Sequence, residues 1–171
     1  MAICHCNPYG SENDWTDSTL ATVGAYYEYN GAEFMCVRNA GSGAGVAGEL
    51  VGLFITTPAV GDMTAVSTEW IDGQLATMNP ALGMLTYAST AGRYCYILTD
   101  GWTTTNGGAS GTAFLKTGGS VVKGDCLVPT GGASPDGTAR SGVAGEEHVV
   151  FGTAIADDTA GALVIAKVRF Q

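Results

Sequence analysis

Glycine interrupts this chain every few residues. It supplies 26 of 171 positions and, with Asn, Asp, Ser and Pro, cuts the apolar residues into runs too short for a stable helix. The surviving runs are rich in Val, Ile, Tyr, Phe and Thr, which suit a pleated sheet. They fall at 33–38, 50–57, 63–71, 74–78, 84–88, 93–99, 112–117, 125–128, 148–156 and 163–170. Asn39-Ala40-Gly41-Ser42-Gly43 ends the first, Pro58 stops the second, and Asp72-Gly73 turns the third into the fourth. About ten short strands with no helix predict an all-β fold of small barrel or sandwich lobes. The final run, continuously apolar and then alternating, reads as a closing strand.

Residues 1–30 lack sustained period-2 or period-3.6 patterning before Ala21 and read as an extended N-terminal arm. Residues 31–102 then form a first β lobe, 103–111 a Gly-rich linker and 112–171 a second lobe. The stretch 131–145 is polar and glycine-rich and is expected to be a loop.

The two lobes share an order of parts. Phe34 opens a strand ahead of Val46-Ala47-Gly48-Glu49-Leu50-Val51, and Thr90-Ala91-Gly92 later precedes Tyr94-Cys95-Tyr96-Ile97-Leu98. Phe114 likewise precedes Val122-Lys123-Gly124-Asp125-Cys126-Leu127, and Thr159-Ala160-Gly161 precedes Leu163-Val164-Ile165-Ala166. Either the chain contains a duplication with loops of unequal length, or a glycine-rich β sequence produces such matches by chance. In a real repeat, the acid after each glycine would sit at a turn and bond nearby backbone N–H groups.

Charge removes several function classes. Asp and Glu number 16 against 7 Lys and Arg, a net charge of −9, and no basic run exists to neutralise phosphates. Nucleic acid is therefore not an expected partner. No apolar stretch approaches the ~18 residues that would span a bilayer, so neither is a membrane. The N-terminus shows no charged region followed by an apolar one, which predicts no secretory signal. Five cysteines, an odd number, fit reduced thiols in a cytosol.

Catalytic signatures are sparse. Cys4-His5-Cys6 places three soft ligands together, yet an extended backbone sends His5 away from the other two, and no CxxC or H-x3-5-H spacing accompanies them. No metal or cofactor is expected there. His148, after Glu146-Glu147, reads as an ordinary strand residue. Asp157-Asp158 lacks the spaced oxygen series that calcium prefers and reads as a turn. With no nucleophile motif or dinucleotide fingerprint, the chain is not expected to be an enzyme; a hydrolase with a dispersed site ranks behind the non-enzymatic readings. Trp15, Tyr26, Tyr27 and Tyr29 crowd the first segment and are the candidate contact residues, docking on the protein's own barrel or on a neighbouring subunit.

Ser120-Val121-Val122-Lys123-Gly124-Asp125-Cys126-Leu127-Val128-Pro129 and the ending from Val150 through Val164 resemble tailed-bacteriophage capsid decoration, or cement, proteins. The likeness covers about residues 112–170, with a fainter echo over 32–101. It implies a β-rich, non-enzymatic virion protein, made in the host cytoplasm, that sits on the outer capsid surface. Its partner would be the major capsid protein, whose neighbouring subunits it bridges, and the likeness implies a homo-oligomer, a trimer. The 1–30 segment matches that family's arm in position and character, although Cys4-His5-Cys6 is no part of its pattern. The alternative from another class is a carbohydrate-binding or adhesive β module in which Trp15, Trp70 or Trp102 stacks on sugar rings.

Overall fold

The computed structural model describes residues 1–39, 44–53, 65–67, 81–103, 115–130, 137–158, 163–164 and 166–170. The protein is nearly all-β. Its strands are β1 (Ala2–Ile3), β2 (Tyr26–Tyr29), β3 (Ala32–Asn39), β4 (Leu50–Leu53), β5 (Ala65–Ser67), β6 (Gly83–Leu85), β7 (Tyr94–Trp102), β8 (Leu115–Lys116), β9 (Cys126–Pro129), β10 (Ala139–Ser141), β11 (Gly152–Ala154), β12 (Leu163–Val164) and β13 (Ala166–Arg169). The helical content among the described residues is two single 3-10 turns, Ser11–Asn13 and Glu147–Val149. The expected strand at 74–78, Trp70, most of the 103–111 linker and the Thr159-Ala160-Gly161 element lie outside the described residues.

The pairings form a circuit. β3 pairs parallel with β5, β5 antiparallel with β4, β4 with β6, β6 with β7, and β7 returns antiparallel to β3. These five strands thus close on themselves, which leaves no unpaired edge between them. Alternate residues point inward, so Met35, Val37, Val51, Leu85, Cys95 and Ile97 pack together as the core of this ring.

The same circuit recurs in the second half. Thr117 bridges Ala139 in parallel, β10 pairs antiparallel with β9, β9 with β11, β11 with β13, and β12, which leads into β13, pairs with β8. The register corresponds residue by residue. Val51 opposite Gly83 is matched by Leu127 opposite Gly152, and Leu85 opposite Ile97 by Ala154 opposite Ala166. The bridge Gly45 to Ser89 is matched by Val121 to Asp158. Inward positions match too: Val37, Val51, Leu85 and Ile97 correspond to Leu115, Leu127, Ala154 and Ala166, all buried. Such agreement in order, direction and register goes beyond what chance turns in a glycine-rich chain would give.

Between the halves, β7 extends past β6 and pairs antiparallel with β13, setting Asp100 opposite Arg169. Lys116 N–H donates to the Gly48 carbonyl at 2.9 Å and Leu50 N–H to the Gly137 carbonyl at 2.7 Å.

Two expectations need correction. The 131–145 stretch is not simply a loop: β10 lies within it, and Ala139 is fully buried. Its small side chain joins the main core despite its polar neighbours. Residues 148–156 are not one strand either, because His148 sits in the 3-10 turn and the strand spans Gly152–Ala154.

Candidate functional site

The N-terminal segment is held by the edge of β7 as a surrogate strand. Trp15 exchanges backbone hydrogen bonds with Tyr94, 3.0 and 2.8 Å. One step along, the Asn13 amide does a strand's work: its Oδ1 accepts from Tyr96 N–H at 2.7 Å and its Nδ2 donates to the Tyr96 carbonyl at 2.9 Å. The same Nδ2 donates to the Pro8 carbonyl at 2.7 Å. Rings close over this junction, with His5 edge-on to Trp15 at 4.6 Å and both Trp15 and Tyr27 about 5 Å from Tyr96.

Residues 1–30 are therefore not an arm reaching away from the protein. Trp15 and Tyr27 are each only 8% exposed and belong to the main core, so neither ring is free for a partner. Tyr29 is half-buried, its ring 6.2 Å from Tyr9. Of the four contact candidates, Tyr26 stays open, 48% exposed on the outer face of β2. In a strand, alternation sends Tyr27 inward and Tyr26 outward.

At Cys4-His5-Cys6 the chain bends. Cys4 is buried, Cys6 half-buried, and His5 Nδ1 is engaged at 2.8 Å by the Tyr96 hydroxyl. Burial pushes the Cys4 thiol up to about 12; burial and the neighbouring Glu12 carboxylate push Cys6 up to about 11. Both are protonated at neutral pH, so neither is an activated nucleophile. Burial lowers His5 and likewise raises Cys36 and Cys95, each to about 12. Among the described residues no three His, Cys, Asp or Glu side chains gather as metal ligands. Asp158 is buried and accepts from the Thr117 hydroxyl, while Asp157 Oδ1 accepts from Lys123 N–H at 2.7 Å. The pair anchors chain crossings. No described helix is long and apolar enough to cross a membrane.

The Val-x-Gly-acid elements form one recurring turn. In 46–49 the Glu49 N–H donates to the Val46 carbonyl at 3.2 Å while Glu49 Oε2 accepts from Val46 N–H at 2.8 Å. In 122–125 the matching distances are 3.0 and 3.0 Å, through Asp125 Oδ2. The glycines sit at φ +88° and +96°, where a Cβ would be strained. A third copy, missed in the sequence reading, is Val143-Ala144-Gly145-Glu146, with distances of 3.2 and 2.9 Å and Gly145 at φ +95°. Its signal was present in plain form, since Val-Ala-Gly-Glu occurs at both 46–49 and 143–146. Each acid has a further partner: Lys116 Nζ lies 3.0 Å from Glu49, the Ser141 hydroxyl donates to Asp125, and Arg140 Nη1 donates to Glu146 at 2.8 Å. The hydrogen bonds from Ser141 and Val122 lower the Asp125 carboxyl, and those from Arg140 and Val143 bring Glu146 down to about 2. With the acid tied inward, the leading residues Val46, Val122 and Val143 all face solvent.

Trp102 is exposed at the far end of β7, with Lys167 Nζ 6.0 Å from its ring centre. Compared with known protein families and with curated proteins, the chain matches none.

Proposed function

We propose that the protein is a structural virion protein that decorates the outer surface of a phage head and bridges neighbouring copies of the major capsid protein. The observation that carries the reading is the doubled architecture. Two lobes follow one pairing scheme, and each presents the same turn with an exposed valine at the corresponding place, Val46 and Val122. A protein that joins adjacent copies of one subunit meets the same surface twice, and a duplicated lobe answers that geometry. Two modest contacts on one rigid body then combine by effective concentration, without any reaction chemistry. The capsid identity of the partner rests on the sequence likeness over 112–170, and a trimeric state follows from the same likeness.

Mixing the purified protein with empty expanded heads and separating bound from free on a gradient tests the proposal. Binding is expected to saturate at a fixed copy number. Val46→Asp and Val122→Asp should each weaken it by about tenfold or more, the scale of one valine's burial, and the double variant should abolish it. Absence of saturable binding, or a double variant that binds like wild type, overturns it.

Trp102 keeps a second reading in play, because an exposed indole beside a cation is a surface on which a sugar ring can stack. Trp15 is buried and cannot serve in that way. Glycan-array binding that disappears in Trp102→Ala would favour the carbohydrate module.

A further inference from the structure

The outer face of β1, β2, β3 and β7 carries a row of side chains that neither reading uses. In register, Ile3 stands beside Glu28, Glu28 opposite Glu33, Glu33 opposite Asp100, and Asp100 opposite Arg169. Like charges directly opposite on neighbouring strands destabilise a sheet. The side-chain cations paired with the row sit at one end: Lys167 and Arg169 both reach Asp100. Glu33 accepts the Thr99 hydroxyl at 3.2 Å, and Glu28 is exposed at the other end. Together with Met1, Gly31 and Ala32, the three carboxylates line a shallow groove of about 270 Å³.

Beside this groove, among the described residues, the sheet has an open edge. Cys4 N–H donates to the Glu28 carbonyl at 3.3 Å. In a parallel ladder that alternation turns the N–H and C=O of Ile3 away from β2. The Ile3 side chain is 78% exposed, and Met1 and Tyr26 stand exposed on the same face. An edge with outward backbone groups, apolar side chains and adjacent acids is a template for strand addition.

We infer that this edge receives an extended segment of a partner protein, which pairs with β1, sets apolar side chains against Ile3 and Tyr26, and places a Lys or Arg over Glu28 and Glu33. Charge complementarity selects that occupant, because the cation completes a row that is acidic from Glu28 to Asp100. The net charge of −9 adds long-range attraction for a basic segment. The inference stands independently of the bridging proposal and does not require the partner to be a capsid protein.

A capped peptide of alternating Val and Lys, titrated into the isotope-labelled protein and followed by NMR, tests it; an alternating Val and Glu peptide is the control. The Val-Lys peptide should give saturable shifts confined to residues 1–4, 26–28 and 31–33, weakened at about 0.5 M salt, while the Val-Glu peptide gives none. Ile3→Pro removes an outward N–H and no bond to β2, and Glu28→Lys changes an exposed side chain, so both variants should keep the wild-type melting temperature. Each should weaken the peptide at least tenfold, whereas Val143→Asp should leave binding unchanged. No saturable shift up to about 1 mM peptide, shifts spread over the whole acidic surface and indifferent to Ile3→Pro, or self-association of the peptide-free protein through β1 would each overturn the inference.

Discussion

Replacing Asn13 by alanine should unfold the junction between the N-terminal segment and β7. Across β3 and β7, Cys36 stands opposite Tyr96, yet the backbone groups of Cys36 bond elsewhere, to the Ala25 carbonyl at 3.1 Å and to Gly24 N–H at 2.8 Å. The N–H and C=O of Tyr96 consequently face the opposite edge, where Asn13, itself fully buried, is their partner. Alanine leaves both groups buried and unpaired. The Pro8 carbonyl is spared, since the Thr86 hydroxyl still donates to it at 2.6 Å. At about 1–3 kcal/mol for each orphaned group, and with some relief from water entering the space vacated by the amide, the loss should be about 3 kcal/mol. For a chain of this size that lowers the melting temperature by roughly 6–12 °C. Urea unfolding at pH 7, read by tryptophan fluorescence, measures it directly. A loss under about 1 kcal/mol with an unchanged urea slope would refute the view that Asn13 stands in for a strand.

Asn13→Asp adds a pH signature. The new carboxyl would face the Pro8 and Tyr96 carbonyl oxygens, so its folded pKa must rise above the unfolded value of about 3.9. A raised acid favours the fold while protonated. This variant should approach wild-type stability near pH 4 and fall behind as pH climbs to 7.

The repeat makes matched predictions. A Cβ on Gly83 would lie 2.9 Å from the Leu98 carbonyl, and one on Gly152 would lie 2.6 Å from the Lys167 carbonyl, the corresponding group. Gly83→Ala and Gly152→Ala should each cost about 1–3 kcal/mol in chemical denaturation; one neutral and one severe result would break the correspondence. Glu146, held near 2, contributes stability at pH values above its unfolded pKa and loses it as pH falls through about 2. The difference between wild type and Glu146→Gln, about 1 kcal/mol or less, should therefore stay flat from pH 7 to 5 and shrink below about 4.5. With a thiol reagent at neutral pH, exposed Cys126 should react at once and half-buried Cys6 slowly. Buried Cys4, Cys36 and Cys95 should react only on unfolding, and rapid labelling of all five would contradict the burial of the N-terminal segment.

Legibility in the sequence followed locality. Glycines at positive φ and the acids after them could be read because a turn is written in four consecutive residues; the bonds of Glu49 and Asp125 to their own valine N–H groups are of that kind. The order of parts in the two halves was visible for the same reason. Trp15 and Tyr27 were harder to place, since their spacing carries no period and their burial depends on β7, some seventy to eighty residues away in sequence. Ala139 was hidden in a polar, glycine-rich stretch whose composition says nothing about the neighbour it pairs with. Tyr26 alone of the contact candidates remains exposed enough to meet a partner, and the acidic row beside it comes from three strands that no single stretch of sequence brings together.

By itself the sequence determined the all-β character, the positions of most strands and the turns between them, because alternation and glycine conformation act over a few residues. Only the tertiary structure decided which strands meet. It closed β3 onto both β5 and β7, repeated that closure in the second half, seated Asn13 on the edge of β7, and set β1 at the end of the sheet among the described residues. Those outcomes depend on satisfying each backbone N–H and C=O with a partner distant in the chain, and a side-chain amide can fill that role as well as a strand can.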